Sequence, residues 1–197
     1  MKKGLLVLAI AGGLIAILFL WTTGIYNRLV TSEEGVKTAW SQVENVYQRR
    51  ADLIPNLVET VRGYAEHEKE TLTAVVEARS KVASLALSKE VINDPTLLNR
   101  FQENQGALTQ ALSRLMVVVE KYPDLKANQN FLALQSQLEG TENRVTVERM
   151  RFNEASQTFN TLRRTFPNVF IANLFGFVQK AYFQADAGSE KTPQVKF

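Results

Sequence analysis

The only histidine, His67, stands among Glu66, Glu68 and Glu70. A metal site on a helix needs ligands three or four residues apart on one face. Only Glu70 meets that spacing from His67. One imidazole and one carboxylate are too few for a zinc or di-iron centre, so these residues read as a solvated helix surface and no metal is assigned. The chain has no Cys, which excludes thiol nucleophiles, cysteine zinc sites, iron–sulfur clusters and disulfides. No HExxH, GxGxxG, P-loop or GxSxG pattern occurs. No catalytic residue and no cofactor is therefore assigned, and the chain is expected not to be an enzyme. Arg50, Glu68 and Glu148 are the other polar candidates, because they fall in otherwise apolar columns. Charge at such positions is costly unless paired. Three readings are open: the seam opens to water there, the charges fix register or partner choice, or they have a proton-relay or catalytic role. Asn143, Arg144, Asn153 and Asn160 read as hydrogen-bonding groups between helices.

The elements that position these residues follow from composition and pattern. The chain has 197 residues, 45% of them hydrophobic and 22% charged, with few Gly and Pro. That is ordinary for one globular domain, at most two. The net charge is +3, and +1 without Lys2 and Lys3. Such balance does not favour a nucleic-acid partner.

Gly4 to Trp21 is an uncharged apolar run behind Met1-Lys2-Lys3. It is long enough to cross a bilayer once. It is also longer than the apolar part of a signal peptide, and Phe19-Leu20-Trp21 is no small-residue cleavage site. A retained anchor over residues 1–26 is expected, with cleavage as the alternative. Trp21 and Tyr26 suit an interfacial belt, and Lys2 and Lys3 favour a cytoplasmic N-terminus. The following domain would then lie outside the cytoplasm, in the periplasm of a double-membrane cell. Ala9 with Gly13, and Gly12 with Ala16, are small-residue pairs of the kind that lets membrane helices associate.

Beyond Thr31-Ser32-Glu33-Glu34, read as a helix start, apolar residues recur every seven positions. One column is Val36, Val43, Arg50, Leu57, Tyr64, Thr71, Ala78 and Leu85. The other is Trp40, Tyr47, Ile54, Val61, Glu68, Val75 and Val82. This predicts helices packed along a seam, with residues 32 to about 88 as a rod of about 85 Å if unbroken. Pro55 kinks that rod or breaks it. Asn93-Asp94-Pro95 is the next stop. A second helix of about 40 Å follows, burying Leu97/Leu98, Phe101, Gln105, Leu108, Leu112, Leu115/Met116 and Val119 and ending at Tyr122-Pro123-Asp124. The third, of about 60 Å, runs from near Leu125 to Phe166-Pro167 with columns Phe131, Leu138, Val145, Phe152, Phe159, Phe166 and Leu134, Thr141, Glu148, Ala155, Leu162. The mismatch in length leaves an apolar overhang for the C-terminal segment, a broken first helix or another copy to cover.

Residues 169–183 carry the stripe Phe170, Leu174, Phe177, Val178 and Ala181. The stripe reads as a short helix closing the bundle, or as a membrane-surface or partner contact. Residues 184–197 read as a flexible tail. Its end, Val195-Lys196-Phe197, is either solvated or a handle for domains that capture a C-terminus. The fold class is thus all-α: one N-terminal transmembrane helix (1–26), an elongated antiparallel bundle of three to four long helices with a short C-terminal helix (27–183), and the tail (184–197).

The segments Tyr26-Asn27-Arg28-Leu29-Val30, Arg49 to Val58, Gly63 to Glu68, Tyr122 to Asn128, Gly140 to Arg144 and Phe152 to Pro167 resemble the LemA family over nearly the whole chain. Phe152 and Phe159 stand where many members are expected to have Tyr. The resemblance implies a bacterial single-pass inner-membrane protein with a helical bundle and no established enzymatic activity. Members of that family also tend to be encoded near membrane zinc peptidases of the HtpX type or TPM-domain proteins, which implies either as a partner by gene neighbourhood alone. The reading is a non-enzymatic membrane scaffold or adaptor that self-associates as a homo-oligomer and recruits envelope partners. The alternatives are a regulatory subunit of a membrane zinc peptidase, held through Val195, Lys196 and Phe197, and a bundle that binds a small ligand.

Overall fold

The computed structural model describes residues 2–85 and 91–185, and the stretch from Val195 to Phe197 lies outside them. The chain is all-α, with no strand among the described residues. Helix α1 (Lys2–Arg62) is uninterrupted and about 90 Å long. Its side chains are exposed from Lys2 to Trp21 and become periodically buried from Ile25 onward. Leu29, Val36, Val43, Arg50 and Leu57 form one buried column, and Trp40, Tyr47, Ile54 and Val61 the other. The seven-residue pattern of this part of the helix is therefore its packing face.

One expectation is corrected here, and one open alternative, the break at Pro55, is removed. Thr31 starts no helix: its hydroxyl bonds back to the Asn27 carbonyl inside α1. A helix arriving from the apolar N-terminal run already satisfies the amides that a cap would serve. Pro55 breaks nothing, because α1 carries through it. Its ring faces outward while Ile54 and Leu57 on either side are fully buried, so packing outweighs the lost backbone bond.

The rod expected over residues 32 to 88 ends instead at Arg62. Gly63 to Glu68 turn the chain, with Tyr64 N and Ala65 N both bonded to the Val61 carbonyl and Ala65 buried. Helix α2 (Lys69–Leu85) then folds back along α1, where the Arg79 guanidinium donates to the Ala51 carbonyl. The buried face of α2 is Leu72, Val75, Ala78 and Val82. Leu72 belonged to neither column, and Tyr64 is exposed. The heptad count passes through the turn unchanged although the seam does not.

A short 3-10 turn (Val91–Asn93) leads to α3 (Pro95–Val119). Asp94 caps α3 by accepting from the amides of Thr96 and Leu97, and Pro95 takes the first helical position, where no amide is needed. The buried residues of α3 include Leu98, Phe101, Gln105, Leu108, Leu112, Leu115 and Val119, as expected. One turn, α4 (Pro123–Lys126), and an Asn128 cap lead into α5 (Gln129–Arg164). Along α5 Phe131, Leu138, Val145, Phe152 and Phe159 are buried, whereas Phe166, beyond its end, is exposed.

α1 and α5 run antiparallel over their full bundle length. Asn128 at the start of α5 donates to the Tyr64 hydroxyl just past the end of α1. Leu162 near the end of α5 lies beside Ile25. With α2 and α3 the order is up-down-up-down. Two hydrophobic cores result. The distal one joins α1, α2 and α3 with the first turns of α5, through Ile54, Leu57, Val75, Leu108, Leu115 and Phe131. The proximal one, nearer the exposed end of α1, gathers Val36, Trp40, Phe101, Phe152 and Phe159. Trp40 meets the Phe101 and Phe152 rings edge-on, both at 5.4 Å, a favoured aromatic geometry.

What closes the proximal core departs from expectation. The C-terminal helix α6 (Asn168–Leu174) has seven residues, not the fifteen that the apolar stripe suggested. Gly176, at φ 75°, takes the left-handed conformation that glycine adopts without strain. After it the chain has no helix and lies as a strap to Ala185. Phe177, Ala181 and Phe183 of the strap are buried in the proximal core.

Candidate functional site

Three features carry the polar and exposed apolar chemistry of the molecule. The first is the groove that holds the strap, and it is built from carboxamides. The Asn160 carboxamide accepts from Lys180 N at 2.8 Å and donates to the Lys180 carbonyl at 2.9 Å. Asn153, two helical turns earlier, does the same with the Phe183 N and carbonyl, at 2.9 and 3.1 Å. Gln102 on α3 pairs in the same way with Gln184. The strap advances three residues while α5 advances seven, about 10.5 Å, or about 3.5 Å per residue, which is extended chain. Asn153 and Asn160, expected to bond between helices, instead satisfy the buried backbone of this strap. Asn143 and Arg144 are exposed and take no part.

Lys180 anchors the strap from within. Its side chain is 2% exposed, and its ammonium lies 2.6 Å from Glu33 Oε1 and 2.8 Å from Asn93 Oδ1. It also lies 5.1 Å from the centre of the Phe159 ring. A buried ammonium is tolerated only with such partners. Sequence reasoning did not find the Lys180–Glu33 pair, since the partners are 147 residues apart and nothing local marks either one.

The second feature surrounds Arg50. Its guanidinium is 3.0 Å from Glu142 Oε2 and donates to the Thr109 hydroxyl at 2.7 Å, so that it joins α1, α3 and α5. The Arg50 side chain is 4% exposed while that of Glu142 is half in solvent. These groups and Tyr47, Gln102, Gln105 and Arg149 line a polar cleft of about 650 Å³. Gln105 is buried, and neither polar atom of its side chain has a hydrogen-bond partner among the described residues.

The other sequence candidates are not gathered here. Glu68 sits at the α1–α2 turn, 3.4 Å from the Tyr122 hydroxyl. Burial, reinforced by the Glu68 charge, raises the Tyr122 phenol above its ordinary 10.0. Glu148 is largely covered and pairs with Arg151 on its own helix at 2.9 Å. Among the described residues no three His, Asp or Glu side chains converge on a point that could hold a metal ion, His67 and its neighbouring glutamates included.

The third feature is the end of the bundle where α1 emerges. Phe166, Phe170, Leu174 and Phe175 are 53–76% exposed. Phe175 meets Tyr26 of α1 edge-on at 4.9 Å. An open cleft beside them is lined by Trp21, Ile25, Arg28, Phe166 and Asn168 among others.

The family model described as the LemA family matches residues 39–197. Magnetosome protein MamQ 2 of Paramagnetospirillum magneticum is 27% identical over 190 residues, spanning 86% of this chain and 70% of that protein. Magnetosome protein MamQ of Magnetospirillum gryphiswaldense is 25% identical over 189 residues, with the same shares. Protein LemA of Metamycoplasma hominis is 25% identical over 175 residues, covering 85% of this chain and 76% of its own. None of these names is that of an enzyme.

Proposed function

The chain belongs to the LemA family, and from that premise we propose that it is a non-enzymatic scaffold or adaptor, anchored in the membrane by α1, that self-associates and recruits envelope partners. The observation that carries this reading is the continuity of α1. An apolar stretch with no buried side chain, long enough to cross a bilayer, passes without a break into the seam of the bundle. The anchor and the domain thus share one helix, which transmits position rather than chemistry. The LemA and MamQ names of its relatives, which are not enzyme names, accord with the non-enzymatic part. Self-association rests on the Ala9/Gly13 and Gly12/Ala16 pairs. Gly12 and Gly13 face open space, so a second anchor helix has room to approach closely. The Lys2-Lys3 flank supports a cytoplasmic N-terminus with the bundle on the periplasmic side.

Cross-linking and native mass measurement of the full chain in mild detergent test this directly. The expected result is a discrete oligomer, reduced to monomer by Gly12→Leu with Gly13→Leu. A strictly monomeric protein that recovers no partner from envelope extracts contradicts it.

A further inference from the structure

Building on the reading of α1 as a membrane anchor, we propose that the bundle makes a second contact with the same membrane: the apex formed by Phe166, Phe170, Leu174 and Phe175 lies in the headgroup layer of an anionic lipid surface. The argument starts from the geometry of α1. The apolar run ends at Trp21, and Tyr26 follows five residues, or about 7.5 Å, later on the same rigid helix. The polar layer of a bilayer is about 5–7 Å deep on each side of its hydrocarbon core. Tyr26 therefore sits at the outer edge of that layer.

The apex is locked to this height. Phe175 packs on Tyr26 at 4.9 Å and Phe177 on Tyr26 at 5.7 Å. Phe166 shares the walls of one cleft with Trp21, Ile25 and Arg28. Ala172, on the opposite side of α6, is fully buried in the proximal core, which turns Phe170 and Leu174 outward. They are 65% and 75% exposed, and Phe166 is 76% exposed. Side chains of this size rarely stand together in water, whereas lipid beside a membrane-embedded stem would cover them.

Charge points the same way. Between Glu154 and Asp186 the chain has no acidic residue, and it carries Arg163, Arg164 and Lys180 there. Lys180 is spent on Glu33, which leaves Arg163, Arg164 and the nearby Arg28 to set the sign of this end. A basic rim around aromatic side chains is the composition that binds an anionic interface. The occupant is thus the lipid of the anchoring bilayer, and the contact would hold the bundle at a fixed tilt.

The absence of Cys makes the test simple. Full-length single-cysteine variants Phe170→Cys and Leu174→Cys carry a nitroxide and are reconstituted into vesicles of phosphatidylcholine and phosphatidylglycerol in equal parts. Leu14→Cys serves as the anchor reference and Val117→Cys, exposed on α3, as the aqueous reference. Accessibility to oxygen against a water-soluble nickel chelate is read at each site. The expected ratio at 170 and 174 is several-fold higher than at 117 and closer to that at 14. Labels at 170 and 174 as aqueous as 117, with 14 in lipid, overturn the contact and leave the anchor standing. A label at 14 that is itself aqueous removes the anchor and the contact together. Labels at 170 and 174 that are aqueous in vesicles but shielded in native membranes assign the apex to a protein and also overturn the proposal.

Discussion

At the scale of single residues, the fold is specified by a few buried polar groups whose partners differ in exposure. Arg50 is nearly enclosed while Glu142 keeps half its surface in water, so the two sides of the pair are not equivalent. Removing Glu142 leaves a guanidinium inside the bundle without its counter-charge, with Thr109 as its remaining side-chain partner among the described residues. Removing the guanidinium leaves a carboxylate that solvent accepts. Glu142→Ala is therefore expected to destabilise by about 1–3 kcal/mol, and Arg50→Met by about 1 kcal/mol or less, in denaturant titrations of the detergent-solubilised protein. Gln105 gives the opposite sign. Its amide is buried without a partner among the described residues, so Gln105→Leu is expected to stabilise by about 1–2 kcal/mol. Tyr122 adds a pH dependence. Its phenol is raised, by burial first and Glu68 second. The neutral form is thus favoured in the folded state, so this contribution is fully present below the ordinary value of 10.0 and is lost as pH rises from there through the raised folded-state value. Tyr122→Phe is expected to flatten the fall in stability above that pH. Of these residues, Arg50 was legible in the sequence because it stands in a heptad column, and Gln105 because it falls on the apolar face of the second helix. Thr109 and Glu142 were not, because their role depends on which helices become neighbours.

At the scale of elements, the sequence is most legible where one helix packs along one seam. Every column position of α1 from Val36 to Val61 is buried. It fails at the turn after Arg62, where no Pro marks the break. There Gly63, a buried Ala65 and bonds from neighbouring segments do the work that a stop signal does elsewhere. It fails again after Leu174. An apolar stripe at helical spacing describes residues 170–181 well, yet Gly176 and the waiting carboxamides of Asn153, Asn160 and Gln102 draw the chain into a strap. Those asparagines are ordinary helix residues until the strap arrives, which is why the pattern gives no hint of them. Asn160→Ala leaves the Lys180 amide and carbonyl without partners inside the protein. The expected loss is about 2–4 kcal/mol, with faster proteolysis between Gly176 and Ala185. Asn143→Ala, on an exposed site, is expected to change neither.

At the scale of the whole molecule, the length mismatch read from the sequence is resolved within one chain. The proximal part of α5 is covered by the strap, and its distal part lies along α1 and joins the core that α2, made by breaking the expected rod, shares with α1 and α3. Among the described residues both cores close within one chain, so the proposed self-association would run through the apolar N-terminal part of α1 or an outer face. The exposed apolar part of α1, the aromatic apex beside it and the closed bundle together make a stem with a head. The central claim is that stem and head stay joined in the membrane. Intact-mass analysis of the protein in the carbonate-washed membrane pellet tests it most directly. The account predicts the uncleaved 22.2 kDa chain in that pellet; a soluble product beginning after Trp21 would contradict it.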